Sequence, residues 1–315
     1  FNLFERSSNH YMSKVILISN FIDKWINSKD ISVNITHIHT RNTFQGFFEE
    51  IPSSIHPDLI TTLRDNGIKS LFSHQYDAVK LIQEEKNVIL TTGPASGKSL
   101  AYILPVLNSI YNQENINALF LYPTKALAHD QYKHINDLIG NSPNKNTQNK
   151  NISKMINVYD GDTPKELRSP IRKHAQVILT NPDMLHIGIL PNHFLWENFF
   201  ENLKYVIFDE AHIYHGIFGS HVANVVRRLK RILSLYHQKP IFICTSATIG
   251  NPIEFIEKLL EEKFELIEND GSPQGKKKTI FYNPPIINEE LGIRKSSNLE
   301  TLQIVKELVE NDIQT

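Results

Sequence analysis

The chain has 315 residues, a length that suits one large domain or two smaller ones. Its 33 Lys and Arg residues against 34 Asp and Glu residues give a formal net charge of -1, so the composition indicates neither a polybasic chain nor an acidic tail. Hydrophobic residues at 40% and charged residues at 21% argue against a disordered, collagen-like or coiled-coil chain.

The N-terminal part of the chain is predicted to be a helical extension. The segment MSKVILISNFIDKWI has the spacing of an amphipathic helix and lacks the layout of a signal peptide. Irregular sequence follows, and then EEIPSSIHPDLITTL predicts a Pro-marked turn and a new helix that stops at Gly67. We therefore assign residues 1–50 to an N-terminal helical extension.

From about residue 68 onward, short apolar runs alternate with helical patterns. The six candidate strands are NVILT, NALFLYP, MINVYDG, AQVILTNP, NLKYVIFDEAH and KPIFICTSATI. Such alternation predicts an α/β fold with a doubly wound, mostly parallel sheet flanked by helices, here over residues 51–270. Cys244, the single cysteine, lies in an apolar run and is predicted to be a small core residue.

Two polar stretches are predicted to lie outside the sheet. NSPNKNTQNKNISK, between Gly140 and Lys154, is too poor in apolar residues to order itself and is predicted to be a mobile surface loop. NDGSPQGKKKTIFYNPPIINEELGIRKSS resembles an interdomain linker, and the amphipathic helix after it has nothing to pack against. Residues 271–315 are therefore predicted to be a linker and the start of an incomplete second domain, in a chain that is a piece of a longer protein.

The strongest local signal is TTGPASGKS at residues 91–99, between a candidate strand and a candidate helix. A Gly-containing loop at a helix N-terminus can surround a phosphate with backbone N–H groups, and Gly97 allows close approach. Thr92 stands where the pattern G-x-x-x-x-G-K-[ST] has its first Gly, which leaves an ordinary turn as the alternative. The candidate nucleotide-binding residues are Gly93, Pro94, Ala95, Ser96, Gly97, Lys98 and Ser99.

A second signal lies where the apolar run Tyr205–Phe208 delivers two acids to the carboxyl end of a strand, the place where α/β folds bind ligands. Asp209 is suited to hold Mg²⁺ through water, with the Ser99 hydroxyl as a further ligand, and Glu210 is suited to polarise an attacking water. Lys98 would contact the β- and γ-phosphates. The sequence thus predicts a site for a nucleotide with β- and γ-phosphates and for Mg²⁺, with ordinary surface charge as the alternative for the two acids.

Five strings occur in the order of the motifs of superfamily 2 helicases: GPASGKS, PTKALAHDQ, TNPDML, DEAH and SATIGNP. LFSHQYDAV, YDGDTP and DGSPQGKKKTIFYNPP resemble more narrowly the mitomycin-repair-factor type of DEAH-signature DNA helicases, over roughly residues 50 to 285. The resemblance implies a P-loop RecA-like fold and ATP-driven translocation on single-stranded DNA, 3′ to 5′, with strand separation, in DNA repair or defence. An RNA helicase and a nucleotide-gated scaffold that needs a partner for hydrolysis remain alternatives.

The resemblance also implies roles for single residues. Gln75 would read the adenine edge with Phe72 supporting the base, although both residues also suit a helix start. Contacts with the nucleic-acid backbone are implied for Thr124, Lys125, Thr180, Asn181 and Asp183. A capped helix and an Asn-Pro turn are the alternatives for those residues. Ser246 and Thr248 would couple hydrolysis to motion by hydroxyl contacts with the DEAH segment, with His212 as their partner.

The resemblance further implies a partner. Helicases of this superfamily place ATP between two RecA-like domains, yet no Q-x-x-G-R-x-G-R-like string follows Pro252. We therefore expect a first motor domain, with a second RecA-like domain in the same or another chain and single-stranded or partly duplex DNA as partners. One cysteine excludes a multi-cysteine zinc site, and no apolar run reaches the roughly 18 residues of a membrane span. We expect a cytoplasmic protein without a membrane partner, associated with the nucleoid if the source is bacterial.

Overall fold

The computed structural model describes residues 18–140 and 147–313. The described residues form two compact units, one within Gln45–Pro273 and one in which residues 18–44 associate with residues 274–313. The larger unit begins and ends a few residues outside the boundaries that the sequence suggests for the ATP-binding domain. No helix within the described ranges is long and apolar enough to cross a membrane.

The larger unit is built on a seven-stranded sheet. Its strands, numbered β1 to β7 in chain order, are Val88–Leu90, Asn117–Leu121, Ile156–Val158, Val177–Thr180, Leu203–Phe208, Ile241–Thr245 and Glu265–Ile267. They lie in the order β7-β1-β6-β5-β2-β4-β3, and every neighbouring pair is parallel. The doubly wound parallel sheet and all six predicted strands are confirmed. The sequence analysis missed β7, a three-residue edge strand that begins with the exposed Glu265.

Helices cover both faces of the sheet. In β1, Val88 and Leu90 join one apolar cluster and Ile89 joins the other, because successive side chains of a strand point to opposite faces. The helix Lys98–Tyr111 packs into the first cluster and the helix Gly216–Leu235 into the second. Cys244 lies fully buried in the second cluster, which confirms its prediction as a core residue.

The remaining elements of the larger unit connect and flank the strands. Its other α-helices are Pro57–Asp65, Ser73–Gln83, Lys125–Gly140, Thr147–Met155, Lys165–His174, Pro182–Met184, Glu197–Glu201 and Pro252–Leu260. A π-helix spans Leu185–Ile189, and 3₁₀ helices span Leu190–Trp196 and Ala211–Ile213. Phe48–Glu49 and Leu71–Phe72 form a short antiparallel pair.

The segment predicted as a mobile loop contains a helix, Thr147–Met155, so the loop prediction is wrong for these residues. Residues 141–146 of that segment lie outside the described ranges. The Asn149 side chain accepts a hydrogen bond from the Tyr111 hydroxyl at 2.8 Å and donates one to the Ile139 carbonyl at 3.1 Å. A buried amide therefore anchors a segment that composition marks as too polar to order.

The basic side chains of the helix Gly216–Leu235 lie outside its buried apolar stripe. Arg227 pairs with Glu261 at 2.8 Å, Lys230 pairs with Glu262 at 2.6 Å, and Arg228 donates to the His186 carbonyl at 3.2 Å. These contacts within the unit favour a solvated helix face over a nucleic-acid contact.

The smaller unit pairs segments from both ends of the chain. Its helices span residues 18–26, Lys29–Ser32 and Ser297–Glu310, and a hairpin joins Ile286–Asn288 to Ile293–Arg294. Ile35–Arg41 runs antiparallel to Lys277–Tyr282, although the sequence analysis expected irregular chain and linker there. In the terminal helix, Glu307 accepts a hydrogen bond from the Trp25 indole at 3.3 Å, and Glu300 accepts one from the Tyr282 hydroxyl at 2.8 Å. The part of the predicted N-terminal helix before residue 18 lies outside the described ranges.

Candidate functional site

The loop between β1 and the helix Lys98–Tyr111 is compact and held by its own side chains. Gly97 has a φ of +76°, and a Cβ there would lie 2.7 Å from Nε2 of Gln75. Ala95 also has a positive φ of 58°, and the hydroxyls of Thr92 and Ser96 are 2.6 Å apart. Thr92, which departs from the general pattern, thus tightens the loop through a hydroxyl contact.

The Lys98 ammonium group lies between this loop and the end of β6. Its Nζ donates to the carbonyl oxygens of Thr92 at 3.0 Å, Gly93 at 3.4 Å and Ser246 at 3.1 Å. Phosphate oxygens that enter the loop would compete with these three carbonyls for the cation.

Asp209 and Glu210 follow β5, next to the end of β6. Asp209 is only 5% exposed, and burial raises the pKa of its carboxyl group to about 6, against the lowering effect of a hydrogen bond from Thr245. The Glu210 side chain is 33% exposed, and its φ of 50° puts the backbone in the left-handed region. A cation beside Asp209 would offset the desolvation that disfavours its charge and would favour the ionised carboxylate, so this donor fits Mg²⁺. The Ser99 hydroxyl, the other predicted ligand, interacts with the Tyr102 hydroxyl.

Thr245, the last residue of β6, was missed by the sequence analysis. Its hydroxyl donates to the Asp209 carboxylate and accepts from the Glu210 N–H at 3.2 Å. The prediction that Ser246 and Thr248 make the hydroxyl bridge to the DEAH segment is therefore corrected. The Ser246 hydroxyl donates instead to the Ala247 carbonyl at 2.9 Å, and Thr248 is exposed.

His212 contacts the backbone of Ser246, Ala247 and Thr248, which we call the SAT segment, at Ala247. Its Nδ1 accepts from the Ala247 N–H at 3.2 Å and lies 3.2 Å from Oε2 of Glu210. A ring nitrogen that accepts a hydrogen bond carries no proton of its own to donate, so the contact with Glu210 is not a hydrogen bond in this arrangement. The expected link between His212 and the SAT segment is thus a backbone contact.

Gln75 joins the helix Ser73–Gln83 to the phosphate loop. Its Oε1 accepts from the Phe72 N–H at 2.9 Å, and its Nε2 donates to the Gly97 carbonyl at 2.9 Å. A cavity of about 400 Å³ opens beside these residues. Its lining includes Phe72, Gln75, Gly97 and Ser99, and also Phe48, Ile68, Lys69, Leu100 and His134, which the sequence analysis did not propose. The rings of Phe48 and Phe72 meet edge to face at 5.4 Å.

A second group that the sequence analysis missed supports the loop from the C-terminal end of the larger unit. His74 is fully buried, its Nε2 lies 3.0 Å from the Ser96 carbonyl, and its Nδ1 accepts from the Gly271 N–H at 3.2 Å. Burial lowers the pKa of His74, in agreement with a neutral ring that donates through Nε2. Asp270 accepts from the Gly93 N–H, which makes it a further contact of the loop. The quoted strings SHQ and DGSPQG contain these residues, but nothing local shows that they meet.

The residues expected to contact nucleic acid follow β2 and β4, neighbouring strands of the same sheet. Thr124 accepts from the Leu127 N–H at 3.3 Å, and Lys125 pairs with Asp162 at 2.9 Å. Thr180 is fully buried and its hydroxyl donates to the Tyr159 carbonyl at 2.6 Å, so the prediction of a nucleic-acid contact by this side chain is corrected.

The two residues that follow Thr180 differ in exposure. The Asn181 side chain is nearly buried and caps the short helix Pro182–Met184, accepting from the Met184 N–H at 2.8 Å. Asp183 is exposed. The Asn-Pro turn that the sequence analysis kept as an alternative is therefore present.

The comparisons with known proteins all point to helicases. Residues 72–256 match the family described as DEAD/DEAH box helicase. YprA of Bacillus subtilis, described as an uncharacterized ATP-dependent helicase, is 44% identical over 282 residues, which are 90% of this chain and 37% of YprA. The ATP-dependent helicase HRQ1 of Saccharomyces cerevisiae is 35% identical over 306 residues, which are 96% of this chain and 28% of HRQ1.

Solved structures agree with this result. The DUF1998 helicase MrfA bound to DNA matches with a TM-score of 0.84 and 42% identity, over 95% of this chain and 38% of MrfA. The DEAD-box helicase Mss116, at 16% identity and a TM-score of 0.57, shares the RecA-like fold alone. The chain therefore spans only about a third of the length of YprA, HRQ1 and MrfA. Since the family match covers more than half of its residues and its motifs lie together at one edge of a RecA-like sheet, the chain belongs to the DEAD/DEAH box helicase family.

Proposed function

We propose that this chain is the ATP-hydrolysing motor domain of a DNA helicase, which moves 3′ to 5′ on single-stranded DNA in DNA repair or defence. The observation that carries the proposal is the convergence of Lys98, Asp209 and the end of β6 at one edge of the sheet. A structure of MrfA, 41% identical to this chain, is described as bound to DNA and AMPPNP, which supports both ligand classes. An intracellular site of action follows from a DNA substrate.

ATP would bind with its phosphates against residues 93–99, where Lys98 exchanges carbonyl oxygens for phosphate oxygens. Mg²⁺ would be held by the Ser99 hydroxyl and, through water, by Asp209, and when bound it neutralises charge on the phosphates. Glu210, whose side chain is about a third exposed, would orient the attacking water and accept its proton. The base would enter the cavity beside Phe72 and Gln75.

Movement requires groups beyond the ATP site. Thr124, Lys125, Asn181 and Asp183 would face the nucleic-acid backbone, and Lys125 would then exchange Asp162 for a phosphate. His212, Ser246 and Thr248 would pass the state of the ATP site to the neighbouring domain. A second RecA-like domain, in the same polypeptide or on another chain, would supply arginine side chains for the transition state.

The first test is steady-state ATP hydrolysis without nucleic acid, with single-stranded DNA and with single-stranded RNA. We expect stimulation by DNA and no turnover by the Lys98→Ala variant, which serves as the blank. Stronger stimulation by RNA than by DNA would identify an RNA helicase and overturn the proposed substrate.

A Glu210→Gln substitution separates an enzyme from a nucleotide-gated scaffold. In an enzyme the variant keeps ATP affinity and loses turnover, because the amide cannot accept the proton of the attacking water. A scaffold would lose nothing. Equilibrium binding of a fluorescent ATP analogue, measured beside hydrolysis, gives both quantities for the same preparation.

A further inference from the structure

The two-stranded sheet of the smaller unit has one packed face and one open face. On the packed face, the Tyr282 ring contacts Trp25 at 5.7 Å and its hydroxyl donates to Glu300, while Lys278 pairs with Asp23 at 2.7 Å. Cross-strand partners point to the same side of a sheet and alternate along each strand. The opposite side therefore carries three cross-strand pairs, His37 with Phe281, His39 with Thr279 and Arg41 with Lys277. We call these six residues the basic face.

The basic face places two cations side by side, Arg41 and Lys277. Arg41 lies directly across from Lys277, and like charges in that position destabilise a sheet. Both side chains are exposed, and neither has an ion-pair partner among residues 18–140 and 147–313. A bound polyanion would relieve this repulsion.

The same face presents an aromatic ring to solvent. Phe281 is 53% exposed, and its ring centroid lies 5.7 Å from that of His37. An exposed ring on the same face as cations is an arrangement with which proteins hold single strands, because phosphates pair with the cations while an unpaired base stacks on the ring. An acidic peptide would use the charges but leave the ring without a partner.

We propose that the basic face binds single-stranded DNA, with phosphates at Arg41 and Lys277 and a base stacked on Phe281. The choice of DNA rests on the proposed function. The six residues lie outside the five superfamily 2 motif strings, although Lys277, Thr279 and Phe281 belong to the string DGSPQGKKKTIFYNPP.

The charge contribution is tested with the full chain and a fluorescent oligodeoxythymidine, by anisotropy over a series of salt concentrations. Loss of two phosphate contacts in Arg41→Ala/Lys277→Ala makes the negative slope of log affinity against log salt concentration shallower by about 1.4, at about 0.7 per contact on a single strand. The matched control, Lys258→Ala/Lys263→Ala, also removes two exposed cations but from the larger unit. Equal slopes for the two double variants would overturn the proposal.

The ring is tested separately with Phe281→Ser. We expect single-stranded DNA to bind about ten-fold more weakly with an unchanged salt slope, because stacking is lost and no charge is removed. Affinity for blunt duplex DNA should stay as in wild type, since paired bases offer no free face. Equal weakening of duplex binding would overturn the stacking role.

ATP hydrolysis without DNA and circular dichroism check that each variant folds. If wild-type chain hydrolyses ATP but binds no DNA, the DNA assignment of the proposed function and the basic face fail together. If wild type binds DNA and the basic-face variants bind it equally well, only the inference about this face fails.

Discussion

At the scale of single residues, the Thr245 hydroxyl bonds to both acids of the proposed ATP site. Its hydroxyl serves Asp209 as a donor and the Glu210 backbone as an acceptor. Removing one partner of a buried hydrogen bond to a charged group costs about 1.5–3 kcal/mol. Thr245 thereby ties the two acids of the DEAH segment to the strand that leads into the SAT segment.

We predict that Thr245→Val, which keeps the shape and removes the hydroxyl, lowers ATP turnover by about ten-fold or more. It should also raise the Mg²⁺ concentration needed for half-maximal rate, because Asp209 loses its positioning donor. Thr245→Ser should restore most of the activity. Wild-type kinetics for the valine variant would show that the hydroxyl has no part in the reaction.

The geometry at Gly97 requires a residue without a side chain. We predict that Gly97→Ala abolishes ATP binding and lowers the unfolding free energy by about 1–2 kcal/mol, since a left-handed φ is costly with a Cβ. The added Cβ would also displace the Gln75 amide. Gly275→Ala is the matched control, because a Cβ there meets nothing within 4 Å. Calorimetric titration with ATP and thermal unfolding measure the two effects, and equal behaviour of the variants would contradict the prediction.

At the scale of elements, the end of the larger unit returns to the phosphate loop. Gly271 donates to His74, and the His74 ring donates to Ser96. This chain of contacts joins the segment after β7 to the helix Ser73–Gln83 and to the loop that would hold the nucleotide.

We predict that His74→Ala raises the KM for ATP more than it lowers kcat, because the ring positions the loop and touches no reacting atom. The unfolding free energy should fall by about 1–3 kcal/mol through unsatisfied buried groups. His221→Ala, on an exposed helix position, provides the control. A selective loss of kcat with unchanged KM would contradict a positioning role.

The elements that sequence could predict are those defined by local pattern. Buried parallel strands are continuous apolar runs, so six of the seven were found, whereas β7 is too short and too exposed at Glu265 to show a pattern. Ile35–Arg41 is a strand only because Lys277–Tyr282, far along the chain, pairs with it. The helix Thr147–Met155 is held by the buried Asn149 amide and by Ile152 in the core, two contacts that composition cannot reveal.

The same division holds within the site. The phosphate loop, Asp209 and Glu210 were found because each follows a recognisable strand. The contact between Thr245 and Asp209 follows from the strand register, which places Phe208 beside Cys244. The next residues of the two segments, Asp209 and Thr245, are therefore neighbours. Phe48, His74 and Asp270 reach the loop from distant parts of the chain, and no local spacing predicts their meeting.

At the scale of the whole molecule, the buried Asp209 makes stability depend on pH. Its folded pKa of about 6 lies above the usual 3.8, so folding favours the protonated form. This contribution is complete below about pH 4 and is lost as pH rises through 6. The difference of about two pKa units corresponds to about 3 kcal/mol.

In Mg²⁺-free buffer we therefore predict that Asp209→Asn flattens the pH dependence of unfolding between about pH 4 and 7. The variant should be more stable than wild type at pH 7 and about equal to it at pH 4. Urea unfolding at a series of pH values measures this. Parallel pH profiles for the two proteins would show that the Asp209 carboxyl is not perturbed.

The Lys98 ammonium group donates to three carbonyl oxygens, which take the place of phosphate oxygens around it. These bonds hold the loop in its shape before a nucleotide binds. A nucleotide would take the ammonium group away from the Ser246 carbonyl, so the first change after β6 would be the loss of a hydrogen bond.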